Sequence, residues 1–377
     1  MLNSGRPFFV GLILAATAAL SSAPTAKAAE MYRQFESTRG LAMGGALTSA
    51  AIGLDALLYN PAGLIQDTVW KLEASTWQDR SFDSDGRSSI GFFRQLESIR
   101  GRQPTSDIEG FLNTDGREGY AKRKFSMAGF HTDAGFAWAS LESEGLYYTP
   151  EFGGTEPRFN LRHELLRGGI AGFAYTTRWR LFSWGFNLKR LSRSLRDDNI
   201  GPNDLVDPQY SLYSDQPAIA DNSWDAGFLM RLPIAFLAPS FSMAILNGSP
   251  MDFTDPVAPK LETEINMGLS VQPQLVKDVR ILLTMDIRDF TKEAFPNDLA
   301  AKRRQHYGTE ISFVPLTRES YLFNLRSGLS QGFFSFGFGV NLGKYVIVNF
   351  ADYYEDIGDD LIQIPRRRQQ AELKIGF

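Results

Sequence analysis

The chain has 377 residues, with 39 Lys and Arg against 43 Asp and Glu, three His and no Cys. A net charge of -4 gives no global field for nucleic acid, and the missing thiols exclude thiol catalysis and disulfide frameworks. No linker rich in Pro, Ser or charge divides the chain after its first thirty residues, which favours one large unit.

At the N-terminus, Arg6 is the one charge before the apolar run "FFVGLILAATAAL", and Ala26-Lys27-Ala28 supplies a small-x-small cleavage site. The pattern predicts a secretory signal peptide over residues 1–28, since Phe8 to Leu20 falls short of the roughly 20 residues a spanning helix needs. The next apolar run, Leu41 to Leu64, carries Asp55, four internal glycines and Pro61, so a lipid-exposed helix there is disfavoured.

From residue 67 the signal changes to alternation. In "FSFGFGVNL", Phe334, Phe336, Phe338, Val340 and Leu342 point one way while Ser335, Gly337, Gly339 and Asn341 point the other. "LFSWGFNLK" sets Phe182, Trp184, Phe186 and Leu188 against Ser183, Gly185, Asn187 and Lys189 in the same manner.

Such runs predict strands near 67–79, 118–131, 133–143, 166–177, 180–193, 222–231, 236–246, 260–272, 278–289, 305–316, 319–330, 332–342, 344–354 and 368–377. Long connectors (80–117, 144–165, 194–221, 247–259, 290–304, 355–367) alternate with short ones, except for a short "QG" near 331. Long loops on one side, tight turns on the other and an even strand count predict an all-β fold: a 14-stranded antiparallel transmembrane β-barrel over residues 67–377.

The chain ends "AELKIGF", with Leu373, Ile375 and Phe377 alternating against polar neighbours. This ending resembles the signal by which the barrel assembly machinery recognises bacterial outer-membrane barrels. A barrel this wide leaves its lumen unfilled by its own side chains, so the Gly/Ala-rich segment 29–66 is expected to form a small hatch or plug containing short helices. Pro61 ends any helix begun after Gly53, and Asn60 and Gly63 suit the turn that follows.

"GLAMGGALTSAAIGLDALLYNPAGL" resembles the N-terminal region of the FadL-like superfamily of outer-membrane proteins, with Asn60, Pro61 and Ala62 matching its central motif and Gly44, Gly45 and Asp55 as companions. The resemblance implies a lumenal hatch, location in a bacterial outer membrane among its lipids and lipopolysaccharide, no cofactor, and passive transport of hydrophobic small molecules such as long-chain fatty acids. Related barrels of type IX secretion imply an alternative, a non-transporting barrel that binds or shuttles a secreted protein. The loop 194–221, rich in Asp and Tyr, is the candidate surface for that role.

Alternation alone nominates Asn187, Lys189, Asp286, Asn324 and Arg326 as polar lumen residues that satisfy one another. His131, His163 and His306 fall on separate strand ends, expected at the surface or rim, so no catalytic set is read. "DYYEDIGDD" lacks the spacing of a calcium loop, and the neighbouring Arg366 to Arg368 either bind phosphates or balance its charge.

Overall fold

The structure is a computed structural model that describes residues 35–66, 71–81, 93–94, 96–98, 109, 119–131, 135–151, 157–177, 181–207, 209–211, 217–234, 236–253, 260–275, 278–291, 301–315, 321–343, 345–356 and 364–376. The expected signal peptide and Phe377 lie outside the described residues. Among those described, fourteen strands follow in order: β1 Leu72–Ser81, β2 Gly119–His131, β3 Phe136–Glu151, β4 Arg158–Thr176, β5 Phe182–Ile200, β6 Ile219–Arg231, β7 Ser240–Leu246, β8 Glu264–Val271, β9 Val279–Ile287, β10 Gln305–Pro315, β11 Tyr321–Ser330, β12 Phe333–Leu342, β13 Val346–Asp356 and β14 Pro365–Gly376. Each pairs antiparallel with the next, and β14 returns to β1 in the register Glu73↔Gly376 to Ser81↔Arg368. The sheet is therefore closed, and no strand edge is left open.

Its two faces are inverted relative to a soluble sandwich. Trp184, Phe186, Phe334 and Phe336 are exposed, whereas Ser183, Asn187 and Ser335 are buried. Large apolar groups face outward as a belt and small polar groups face inward, which is the pattern of a strand wall between lipid and a lumen. The fold is a 14-stranded transmembrane β-barrel. Among the described residues no helix is long and apolar enough to cross a membrane.

Residues 35–66 fill the lumen. A short helix, Thr38–Ala42, is capped by Ser37, whose Oγ accepts from the Gly40 amide at 3.0 Å. A second helix, Leu54–Tyr59, stops before Pro61, and a 3-10 turn runs from Pro61 to Ile65. Met43, Leu47, Leu54, Leu57 and Leu64 are fully buried against inward residues that include Trp77, Leu141 and Ile170.

The strands exceed the expected lengths in one sector. Residues 144–165 form no long loop, because β3 and β4 pair as far as Glu151↔Arg158, and β5 continues to Ile200. The expected loop 194–221 is thus partly strand, joined by a helix at Pro202–Val206. Glu142, Glu144 and Arg167 mark where the lipid belt ends, but not where the sheet ends: Arg167 reaches Glu142 at 3.0 Å and Arg123 reaches Glu144 at 2.6 Å. Beyond these pairs Tyr148, Phe159, Leu161 and Ile200 lie on one face and are covered by Phe93 and Leu96 of the first connector and by Leu205. In that connector "IGFFRQLESIRG" has helical spacing through Ile90, Phe93, Leu96 and Ile99, of which Ile90 and Ile99 lie outside the described residues.

Candidate functional site

The segment 35–66 is held at two seats, each built on a cross-strand pair of wall glycines. Gly185 of β5 lies opposite Gly227 of β6. A Cβ on Gly185 would overlap the Pro61 carbonyl, and one on Gly227 would overlap Asn60 Oδ1. Gly308 of β10 lies opposite Gly328 of β11, where added Cβ atoms would meet the backbone of Met43 and Gly44. Backbone can approach backbone here only because the wall has no side chains at these points.

Asn60 secures the first seat. Its Nδ2 donates to the carbonyls of Thr48 (2.9 Å) and Phe228 (3.2 Å), and its Oδ1 accepts from the Ala62 amide at 3.0 Å. Pro61 opens the 3-10 turn, and Ala62 is fully buried. Asn60→Ala removes all three bonds in a buried site and leaves their partners unsatisfied. We expect a loss of about 1–3 kcal/mol, read as a lower urea midpoint with the barrel still heat-modifiable.

At the second seat Gly44 has φ +63° and its Cβ position lies 2.6 Å from the Leu329 carbonyl oxygen, so neither conformation nor space admits another residue. Gly45 follows with φ +82°. His306 Nδ1 donates to the Gly44 carbonyl at 2.6 Å and the ring is fully buried. His163 is also buried, 3.2 Å from Glu144, so of the three histidines expected at the surface or rim only His131 is exposed.

The nominated lumen residues are brought to the segment more than to one another. Asn187 donates to the Leu57 carbonyl at 2.9 Å, and Asp286 accepts from Thr48 N and Oγ1 at 2.8 and 2.7 Å. Lys189 pairs with Asp225 at 2.5 Å, and Arg326 with Glu310 at 2.8 Å. Asn324 is buried and lines a cavity. Asp55 lies 3.4 Å from Arg39.

Glu310 is the centre of the polar lumen. It accepts from Arg39 of the segment (2.9 and 3.2 Å), from Arg326 (2.8 Å) and from Arg280 (3.0 Å). The network continues through Asn349 to Glu372. Sequence reasoning missed Glu310, although "HYGTEIS" places it on the same face as His306 and Gly308.

Two cavities flank the helix Leu54–Tyr59. One of about 110 Å³ opens toward the long connectors and is lined by Phe35, Leu57, Leu58, Tyr59, Ile170, Leu191, Leu246 and Leu261, with Lys189, Asp225, Glu36 and Arg288 among its polar groups. Both cations are engaged, Lys189 by Asp225 and Arg288 by Glu36 at 2.8 Å. The other, about 140 Å³, lies toward the short turns and is lined by the Glu310 network with Glu73 and Lys374. Leucine, isoleucine and aromatic side chains supply about half the lining residues of the first, whereas charged and amide side chains make up most of those of the second. Above the first, the connector after β7 folds inward and buries Met251, Phe253 and Leu261 against Leu166 and Leu191.

At the C-terminus, Leu373 and Ile375 are exposed in the outward belt. Arg367 pairs with Asp352 at 2.7 Å and Arg368 with Glu355, so these two arginines balance the acidic stretch. Among the described residues no group of acidic, His or Cys side chains is arranged to hold a metal ion.

A closed transmembrane barrel whose lumen is occupied by its own N-terminal segment is the class this geometry defines. No protein-family model matches the chain, and no curated protein matches its sequence. Among solved structures, the Ralstonia pickettii toluene transporter TbuX aligns with a TM-score of 0.50 at 12% identity, over 92% of this chain and 99% of that one. The P. putida toluene transporter TodX gives 0.46 at 12% identity, over 91% and 97%. A Pseudomonas aeruginosa FadL homologue gives 0.42 at 11% identity, over 90% and 97%. The likeness to TbuX is one of fold alone.

Proposed function

We propose that this chain is a bacterial outer-membrane channel for the passive transport of hydrophobic small molecules, long-chain fatty acids among them, in which residues 29–66 act as the hatch. The apolar cavity beside the helix Leu54–Tyr59 carries the reading. Its wall combines hydrocarbon from both hatch and barrel with polar groups whose two cations are already paired, so a ligand is held there by apolar contact. The cavity on the other side of the same helix is ringed by the charges of the Glu310 network, which an apolar ligand would have to desolvate. No chemical step is needed and no cofactor enters. In keeping with this reading, the neighbour TbuX is named a toluene transporter.

The signal peptide would export the chain, and the C-terminal alternation would present it to the barrel assembly machinery, with outer-membrane lipids and lipopolysaccharide around the belt. Uptake of labelled oleate and of toluene by cells expressing the chain tests the proposal. Leu191, buried beside the cavity, should not tolerate charge: Leu191→Asp is expected to cut uptake about tenfold or more, as an uncompensated loss above 1.4 kcal/mol would. Uptake indistinguishable from cells without the chain, with folded protein in the membrane, overturns the reading.

A further inference from the structure

The wall is too short in one sector to span a bilayer with strands alone. β7 has 7 residues and β8 has 8, whereas a tilted spanning strand needs roughly 9–11, a length β9 with 9 only just reaches. At about 3.3 Å per residue and about 45° of tilt, β7 covers only about 16 Å of an apolar band about 25 Å tall. The missing height is not supplied on the loop side, because the connector after β7 turns inward and buries Met251 and Phe253 in the lumen.

It is supplied on the turn side. The connector from β6 to β7 reads "LPIAFLAP" and carries no charge, while every other turn-side connector contains at least one charged residue. Leu232 is 40% exposed, Ile234 49% and Phe236 57%. These positions continue the alternation of Phe228 and Met230, which lie on the outward face of β6, so the belt runs past the end of the strand. The turn between β8 and β9 joins the same patch. Gln272 and Gln274 donate to the carbonyls of Leu237 and Phe236 at 2.7 and 3.0 Å, and Leu275 beside them is 62% exposed.

We infer that the connector between β6 and β7, with Leu275 beside it, is a membrane-embedded lobe, whose occupant is the acyl chains of the turn-side leaflet. The continuity of the patch with the strand belt selects lipid over a soluble partner. Such a lobe completes the hydrophobic height where the strands fall short and fixes how deep this side of the barrel sits.

The chain has no cysteine, so one introduced thiol is a unique label. Phe236→Cys and, separately, Leu275→Cys would carry an environment-sensitive fluorophore in full-length protein in nanodiscs of phosphatidylethanolamine and phosphatidylglycerol. Lys71→Cys, exposed on the turn side just before β1, is the reference. The two lobe labels should emit to the blue of the reference, be quenched by brominated acyl chains, and resist iodide at least several-fold better. Iodide quenching equal to the reference, without quenching by brominated lipid, places the lobe in water and overturns the inference. Protection from both quenchers means that protein covers it, which overturns the inference equally.

Discussion

A barrel carrying leucine in place of Gly185 and Gly227 will keep its closed wall and lose its plug. The ladder that closes the sheet is backbone to backbone and gains nothing from either glycine, whereas the turn at Asn60 and Pro61 rests directly on both. A leucine side chain occupies the volume of that turn, and the turn cannot retreat without surrendering the Asn60 bonds to Thr48 and Phe228. Single-channel conductance in planar bilayers should therefore rise from a closed level to that of an open pore, while heat modifiability stays unchanged. Gly169→Leu is the control, because a Cβ there meets only the Ala139 carbonyl oxygen at 3.7 Å. A double variant as tightly closed as the parent would show that the turn does not seal the lumen.

Replacing Glu310 should be the most damaging single change to stability. One carboxylate, 1% exposed, neutralises Arg39, Arg280 and Arg326. Glu310→Leu leaves one buried and two half-buried guanidinium groups without their common anion, and stripping one partner from a buried pair costs about 3–5 kcal/mol. Residual contacts moderate this loss: Arg39 also reaches Asp55 and the Ala50 carbonyl, and Arg326 reaches Asn349. We expect about 3 kcal/mol, read as the shift in the urea midpoint of the detergent-refolded protein. Arg39→Met should cost less, because Glu310 keeps two cations. If both variants unfold within 1 kcal/mol of the parent, on the scale of an exposed surface pair, the cluster is solvated and carries no such weight.

What could be read in advance follows from the range of each interaction. The fourteen strands are legible because lipid acts on every second residue, so "FSFGFGVNL" declares its faces locally. The stop at Asn60 and Pro61 is likewise a matter of adjacent residues, and the helix does end there. The ion cluster is not legible, since Arg39 and Glu310 are 271 positions apart and no pattern within either stretch names the other. The same holds for the glycine seats: Gly185 stands out as small in its strand, but its reason for being small is Pro61. In β3 and β4 the charges Glu144, Arg162 and Glu164 of the expected connector 144–165 look like loop chemistry until cross-strand pairing shows them inside a sheet. His306 looks like a rim residue because nothing near it in sequence shows that Gly44 sits beneath it.

The contacts of the N-terminal segment also impose an order of events on assembly. Thr38 accepts from Gln370 across 332 positions, and the Ala42 carbonyl accepts from Ser335 across 293. The part of the chain synthesised early therefore docks onto strands synthesised late, and its seat does not exist until those strands are in place. Contacts of such separation delay folding, because chain entropy is lost before they repay it. Occlusion of the pore and the meeting of β1 with β14 should consequently arrive as one slow kinetic phase, with an open, leaky ring as the species that precedes it.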